Sequence, residues 1–172
     1  VTDFVVGTGG DQVDFDLTAL NIAAAIAGNE TDTIAFFGAA GAAITDATAG
    51  ATNAVATISN DSSVHATVLN ATVILLDGGA TTFATVGDAV DAFEASGSFT
   101  ITHQSNVADD DTFLFAYENS TTGFVTLAAA SFEAADDNNA SAAAIADAAL
   151  KGADLLTISG VTDVTTITAA NV

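Results

Sequence analysis

The sequence predicts a mainly β domain, a β-sandwich or β-roll-like fold with two or three short helices. Three observations carry this. Thr, Val and Ile gather in short runs, and β-branched side chains fit a pleated surface. Some runs alternate with the two-residue period of a strand: Val13, Phe15 and Leu17 in one, Phe113, Phe115 and Tyr117 in another. Glycine and Asn/Asp/Ser clusters interrupt the runs often, which suits about ten short strands rather than a few long elements.

In chain order, Thr2–Val6 reads as a strand, Gly7-Thr8-Gly9-Gly10 as a glycine turn, and Asp11–Asp16 as the returning strand. Ala19–Ala27 carries Leu20, Ala23, Ala24 and Ala27 at helical spacing, with Gly28 as a stop, and reads as a short helix. Thr33–Phe37 reads as a buried strand, whereas the small residues of Gly38–Asn53 favour no element. Val55–Ser59 and Val64–Leu76 are Thr/Val/Ile-rich strands, separated by Asn60-Asp61-Ser62-Ser63 and closed by Gly78-Gly79. Thr85–Ala95 is the clearest helix. Thr85 caps it, Asp88 lies in its first turn, Val86, Val90 and Phe93 share a face, and Gly97 follows. Phe99–His103 alternates. Thr112–Tyr117, the turn Asn119–Gly123 and Phe124–Leu127 form a hairpin. Asp136-Asp137-Asn138-Asn139 is placed to cap a helix over Ser141–Leu150, with Gly152 as its stop. Asp154–Val161 and Val164–Thr168 close the chain as strands.

A length of 172 residues suits one β-rich domain spanning 1–172, with a soft subdivision near 78–82, where strand-rich sequence meets the helix and hairpin. Hydrophobic residues make up 50% of the chain, which supplies a core and excludes intrinsic disorder, although much of that share is alanine. No apolar run reaches the length of a membrane span, so no membrane span is expected. The chain opens Val1-Thr2-Asp3 with neither a signal peptide nor an initiator Met, as expected of a processed protein or of part of a longer one.

Charge restricts the partners. Twenty-two acids face one base, Lys151, for a formal net charge of -21. Such a chain repels itself when compact and draws positive charge from outside, as a divalent cation, salt or a basic partner. Nucleic acid is excluded, because phosphate binding needs Lys or Arg, and anionic membrane surfaces are excluded for the same reason. Cys is absent, so neither disulfides nor thiolate metal sites exist.

The segment Gly7-Thr8-Gly9-Gly10-Asp11-Gln12-Val13-Asp14 fits the Gly-x-Gly-x-Asp-x-apolar-x pattern of calcium-binding parallel β-rolls. Glycines at Gly7 and Gly9 permit a tight turn with inward carbonyls, while Asp11 and Asp14 add hard anionic oxygens. Calcium takes about six to eight such oxygens. Only one copy is present, with Val6 where the repeat has glycine, so an ordinary glycine-rich turn is the alternative reading. Asp109, Asp110 and Asp111 form a second candidate calcium group, or a solvated turn ahead of a strand. His65 and His103 lie in predicted strands without zinc-ligand spacing and read as rim residues. No Gly-x-Ser-x-Gly elbow or other catalytic constellation is visible, so the chain reads as no enzyme. Five Asn-x-Ser/Thr triplets, at Asn29, Asn60, Asn70, Asn119 and Asn139, mark glycosylation only in a host that modifies them.

The ends carry a family resemblance. Thr2–Gly7 followed by Asp11–Leu20 resembles the segment that ends the calcium-binding repeats of RTX-type secreted bacterial proteins. Asp111–Phe115, Asp154–Val164 and Ile167–Asn171 resemble the C-terminal module of type I secreted proteins, a group that includes RTX adhesins and surface-layer proteins. Gly38–Thr82 has no counterpart. The resemblance implies type I export, extracellular calcium (Ca2+) and a place at the cell surface or in the matrix. The expected function is therefore that of a non-enzymatic secreted structural protein, self-assembling into a filament or surface layer. Thr2–Val6 and Val164–Thr168 are the natural strands to pair between copies. The alternatives are an adhesin or carbohydrate-binding module for a cell-surface glycan, resting on Tyr117 for ring stacking, and an export and folding cap of a larger protein.

Overall fold

The alternating runs of the second half converge on one mixed sheet. The computed structural model describes residues 2–7, 9–13, 35–36, 55–60, 73–104, 112–133, 143–168 and 170–171. Eight strands are assigned among them: β1 (Ala35–Phe36), β2 (Val55–Ser59), β3 (Val73–Asp77), β4 (Thr102–Gln104), β5 (Thr112–Asn119), β6 (Phe124–Phe132), β7 (Ala143–Ala144) and β8 (Leu150–Ile158). One α-helix, α1 (Val86–Asp91), and one 3-10 turn, Val164–Thr166, complete the elements. The fold is mainly β, as expected. The larger sheet has the order β2-β3-β5-β6-β8, and a smaller sheet has the order β1-β4-β7.

β2, β3 and β5 run parallel, and β5, β6 and β8 antiparallel. The large sheet thus draws strands from both sides of residues 78–82. The β5–β6 hairpin forms where the sequence places it. Asn119 Oδ1 accepts from the amides of Thr121 and Thr122 at 2.9 and 3.0 Å, and Gly123 takes the positive φ of 74° that ends the turn.

Both faces of this sheet are covered, which explains why β3, β5 and β6 are buried on alternate residues of both parities. On one face Phe113, Phe115 and Tyr117 meet α1, Phe93, Phe99 and Ile101. Phe93 stands edge-on to Phe113 and Phe115, with ring centres 5.3 and 5.2 Å away. On the other face Leu114, Ala116, Val125 and Leu127 meet Val161, Val164 and Ile167, and Phe4, Val6 and Val13 close the layer from the N-terminal segment.

α1 starts at the predicted cap. The Asp88 amide donates to Thr85 Oγ1 at 3.2 Å, and the Thr85 amide donates to Asp88 Oδ2 at 3.0 Å. The helix ends at Asp91, earlier than Ala95. The Phe93 and Glu94 amides turn to carbonyls three residues back, and Gly97 folds over the Ala92 carbonyl, where a Cβ would overlap.

Three expectations are corrected. Ser141–Leu150 does not form a helix over its described part: Ala143–Ala144 is a strand and Leu150 opens β8. Tertiary bonds override alanine propensity there, since Ala148 sits at φ 60° and its amide donates to Glu94. Gly152 accordingly lies within β8 and stops no helix. Val164–Thr168 does not form a strand, because Asp163 Oδ1 accepts from the Thr165 amide at 2.9 Å and caps the 3-10 turn. Thr2–Val6 joins no strand ladder and folds back on its own loop. Ala19–Ala27, Gly38–Asn53, Val64–Thr72 and Asp136–Asn139 lie outside the described residues, and of Thr33–Phe37 only Ala35–Phe36 is described.

Candidate functional site

The glycine motif folds as a loop that closes on itself. Gly7 and Gly9 have φ of 90° and 83°, a left-handed backbone that glycine adopts without a Cβ penalty. The Gly10 amide donates to the Gly7 carbonyl at 2.9 Å and the Asp11 amide to the Val5 carbonyl at 2.8 Å. Asp11 Oδ2 accepts from the Val5 amide at 2.8 Å. Of the oxygens expected to face calcium, the Gly7 carbonyl and Asp11 Oδ2 thus accept internal hydrogen bonds.

The loop is then locked to the far end of the chain. Asn171 is fully buried. Its Oδ1 accepts from the Gly7 amide at 2.9 Å, the Thr168 amide at 3.1 Å and Thr168 Oγ1 at 3.0 Å. Its Nδ2 donates to the Asp11 carbonyl at 2.8 Å and, at 3.4 Å, to the Val5 carbonyl. The Asn171 carbonyl accepts from the Val13 amide at 2.8 Å. A buried amide engaged through both its oxygen and its nitrogen adds specificity. The consequence is a terminal latch that holds Phe4, Val6 and Val13 over the second core face.

A second polar group lies at the β6–β8 seam. Leu127 faces Leu156 and Ala128 faces Asp154, so Leu155 is an extra residue in a β-bulge. Asp154, opposite Ala128, lies on the Tyr117 face of the sheet, and the Tyr117 hydroxyl donates to Asp154 Oδ1 at 2.8 Å and accepts from Asn119 Nδ2 at 3.1 Å. Burial, reinforced by the hydrogen bond to Asp154, pushes the phenol up to about 12. The ring is fully buried and offers no face to a sugar.

A third carboxylate, that of Glu94, is only 3% exposed. Its oxygens accept from the Ala148 amide at 2.6 Å and the Leu150 amide at 2.9 Å. Asp147 answers from the opposite segment, accepting from the Ser96 amide at 3.0 Å and Ser96 Oγ at 2.8 Å. Two backbone amides stabilise the buried charge of Glu94 where no Lys or Arg does. The pair clamps the exit of α1 to the start of β8.

The remaining candidate is the β8 edge itself. β8 pairs only with β6 among the described residues. Lys151, Ala153, Asp154 and Leu155 are exposed along it. Lys151, the one Lys or Arg of the chain, pairs with Ser131 in the ladder, and its side chain makes no ion pair with any described residue.

Of the predicted calcium residues, Gly7, Gly9 and Asp11 share the latch loop, while Asp14, Asp109, Asp110 and Asp111 lie outside the described residues. His65 does too, and His103 sits in β4 opposite Phe36 and Ala143. Among the described residues no three His, Asp or Glu side chains gather into a group able to hold a metal ion, and no helix is long and apolar enough to cross a membrane. Sequence reading missed Asn171, Glu94 and the pairing of Tyr117 with Asp154. The available signals were a Thr168-x-x-Asn171 spacing that suits a local turn, and a lone acid directly after the core residue Phe93. No protein-family model, curated protein or solved structure matches this chain.

Proposed function

We propose that this chain is a non-enzymatic, secreted structural protein of the RTX-like and surface-layer kind, which self-assembles outside the cell into a filament or surface layer stabilised by calcium. One observation carries the reading: β2 and β8 bound the large sheet, and each pairs on one side only among the described residues. Such edges present rows of backbone donors and acceptors that a strand of another chain completes. The terminal segments are engaged in the latch, so in this reading contacts between copies form at the sheet edges and not by donation of the chain ends. Calcium supplies the positive charge that 22 acids and one base lack. Because the Gly7 carbonyl and Asp11 Oδ2 accept hydrogen bonds within the loop, calcium in this reading also binds other acids, Asp14 and Asp109–Asp111 among them. Tyr117 is withdrawn into the core, which disfavours the glycan-binding alternative.

Electron microscopy and light scattering, with calcium and with a chelator, test the proposal. Ordered assemblies that dissolve on chelation, with monovalent salt restoring only part of the loss by screening, are the expected result. A protein that stays monomeric with calcium at high concentration would refute it.

A further inference from the structure

We infer that the N-terminal segment, residues 2–7 and 9–13, is a detachable strap, which lifts from the second core face as one preformed body when the Asn171 side chain lets go, while the sheet beneath stays folded. The inference stands apart from the self-assembly reading and holds for a single copy of the chain.

Two observations carry it. The strap, first, holds its own shape. The Asp11 amide donates to the Val5 carbonyl at 2.8 Å, the Val5 amide to Asp11 Oδ2 at 2.8 Å and the Gly10 amide to the Gly7 carbonyl at 2.9 Å. Gly10 packs so closely on the Val5 carbonyl that a Cβ there would overlap it. Each of these contacts lies inside the strap and survives its departure. Second, every hydrogen bond from the strap to the other described residues ends on Asn171. The Gly7 amide and the Asp11 carbonyl meet its side chain at 2.9 and 2.8 Å, the Val5 carbonyl meets it at 3.4 Å, and the Val13 amide meets its carbonyl at 2.8 Å. Apolar contact with the second core face comes from Phe4, Val6 and Val13, all only partly buried.

The pin itself is rooted in the core, which decides the half that leaves. The Asn171 amide donates to the Thr168 carbonyl at 2.9 Å, and Asn171 Oδ1 accepts from the Thr168 amide at 3.1 Å. Val164 and Ile167, just before this turn, are buried against the sheet. A unit with partly buried anchors and one polar attachment opens at a lower free energy than a central ladder. Its open form presents Phe4, Val6 and Val13, and the apolar surface beneath them, to solvent. One side chain thereby sets the balance between a covered and an uncovered core face.

Native-state amide exchange across a urea series tests the strap. Gly7 and Val13 are expected to share one opening, with a smaller urea dependence than that of Phe115 in β5, because less surface is exposed. The Asp11 amide, bonded inside the strap, should exchange more slowly than either. Asn171→Ala should speed Gly7 and Val13 about tenfold, the worth of the two short side-chain bonds to the strap. Phe4→Trp gives a single reporter in a chain that has no Trp. Its emission should shift to the red when N171A is added, with the circular dichroism of the sheet unchanged. Gly10→Ala, which breaks the strap from within, should free Gly7 and Val13 while the Asn171 amide keeps its bond to Thr168. A urea dependence at Gly7 and Val13 equal to that of Phe115 would overturn the inference, since the strap then leaves only with the whole fold. Asp11 exchanging in step with Gly7 would show unravelling in place of lifting, and loss of Asn171 protection in G10A would show that the pin leaves with the strap; either result also defeats it. Unchanged Gly7 exchange and Trp emission in N171A would remove Asn171 as the pin.

Discussion

Replacing Asn171 by alanine should unfasten both ends of the protein together. Four well-formed side-chain hydrogen bonds disappear: those from the Gly7 amide, the Thr168 amide and Thr168 Oγ1 to Oδ1, and that from Nδ2 to the Asp11 carbonyl. The bond to the Val5 carbonyl at 3.4 Å is long enough to discount. At about 0.5–1.5 kcal/mol each, the four amount to roughly 2–6 kcal/mol. Water reaches the partly exposed loop and re-satisfies some of the stranded groups, which brings the expected loss to about 2–4 kcal/mol. Equilibrium urea unfolding measures the global loss. Amide exchange should show protection falling at Gly7 and Val13 while Phe115 and Ala128, paired across β5 and β6, keep theirs until global unfolding. Asn171→Asp separates hydrogen bonding from packing. At neutral pH it sets a carboxylate against the Val5 and Asp11 carbonyls and should be at least as damaging as N171A. As the pH falls its protonated form regains a donor, so its deficit should shrink. A stability loss below about 0.5 kcal/mol for N171A, with Gly7 protection unchanged, would refute the latch, since it lies below the net contribution of one typical hydrogen bond.

The single tyrosine permits an unambiguous titration. The folded phenol lies at about 12 against an ordinary 10.0, so its protonated form stabilises the fold fully below pH 10, and that contribution is lost as the pH rises through about 12. Ultraviolet difference absorbance, with circular dichroism to verify that the fold persists, should show no phenolate near pH 10; ordinary ionisation there would contradict the Tyr117–Asp154 bond. Gly152→Ala tests the seat of α1 on β8. Its Cβ would lie 2.7 Å from Val86 Cγ2 and 2.9 Å from Val90 Cγ1, and overpacking of this kind costs about 1–3 kcal/mol. An unchanged thermal midpoint would show that α1 yields freely.

The sequence alone determined whatever a few neighbouring residues can decide. The mainly β class, the β5–β6 hairpin, strand β2 with its predicted limits, and the Thr85–Asp88 capping box all follow from side-chain period or from turn and cap chemistry, which act over short chain separations. So does the net charge of -21, which is a count of residues. Tertiary structure decided the rest. Ala143–Leu150 has helical composition, yet Glu94, more than fifty residues away, takes its amides and turns it into the approach to β8. Gly7–Asp11 reads locally as a glycine turn, and Asn171 closes it from the other end of the chain. Asp154 faces Tyr117 only because the register of β8 on β6 sets it opposite Ala128. In each case a polar group found its partner across the fold. Local spacing carries no record of that choice, because the energy of the bond depends on which distant segments the packed sheet brings within reach.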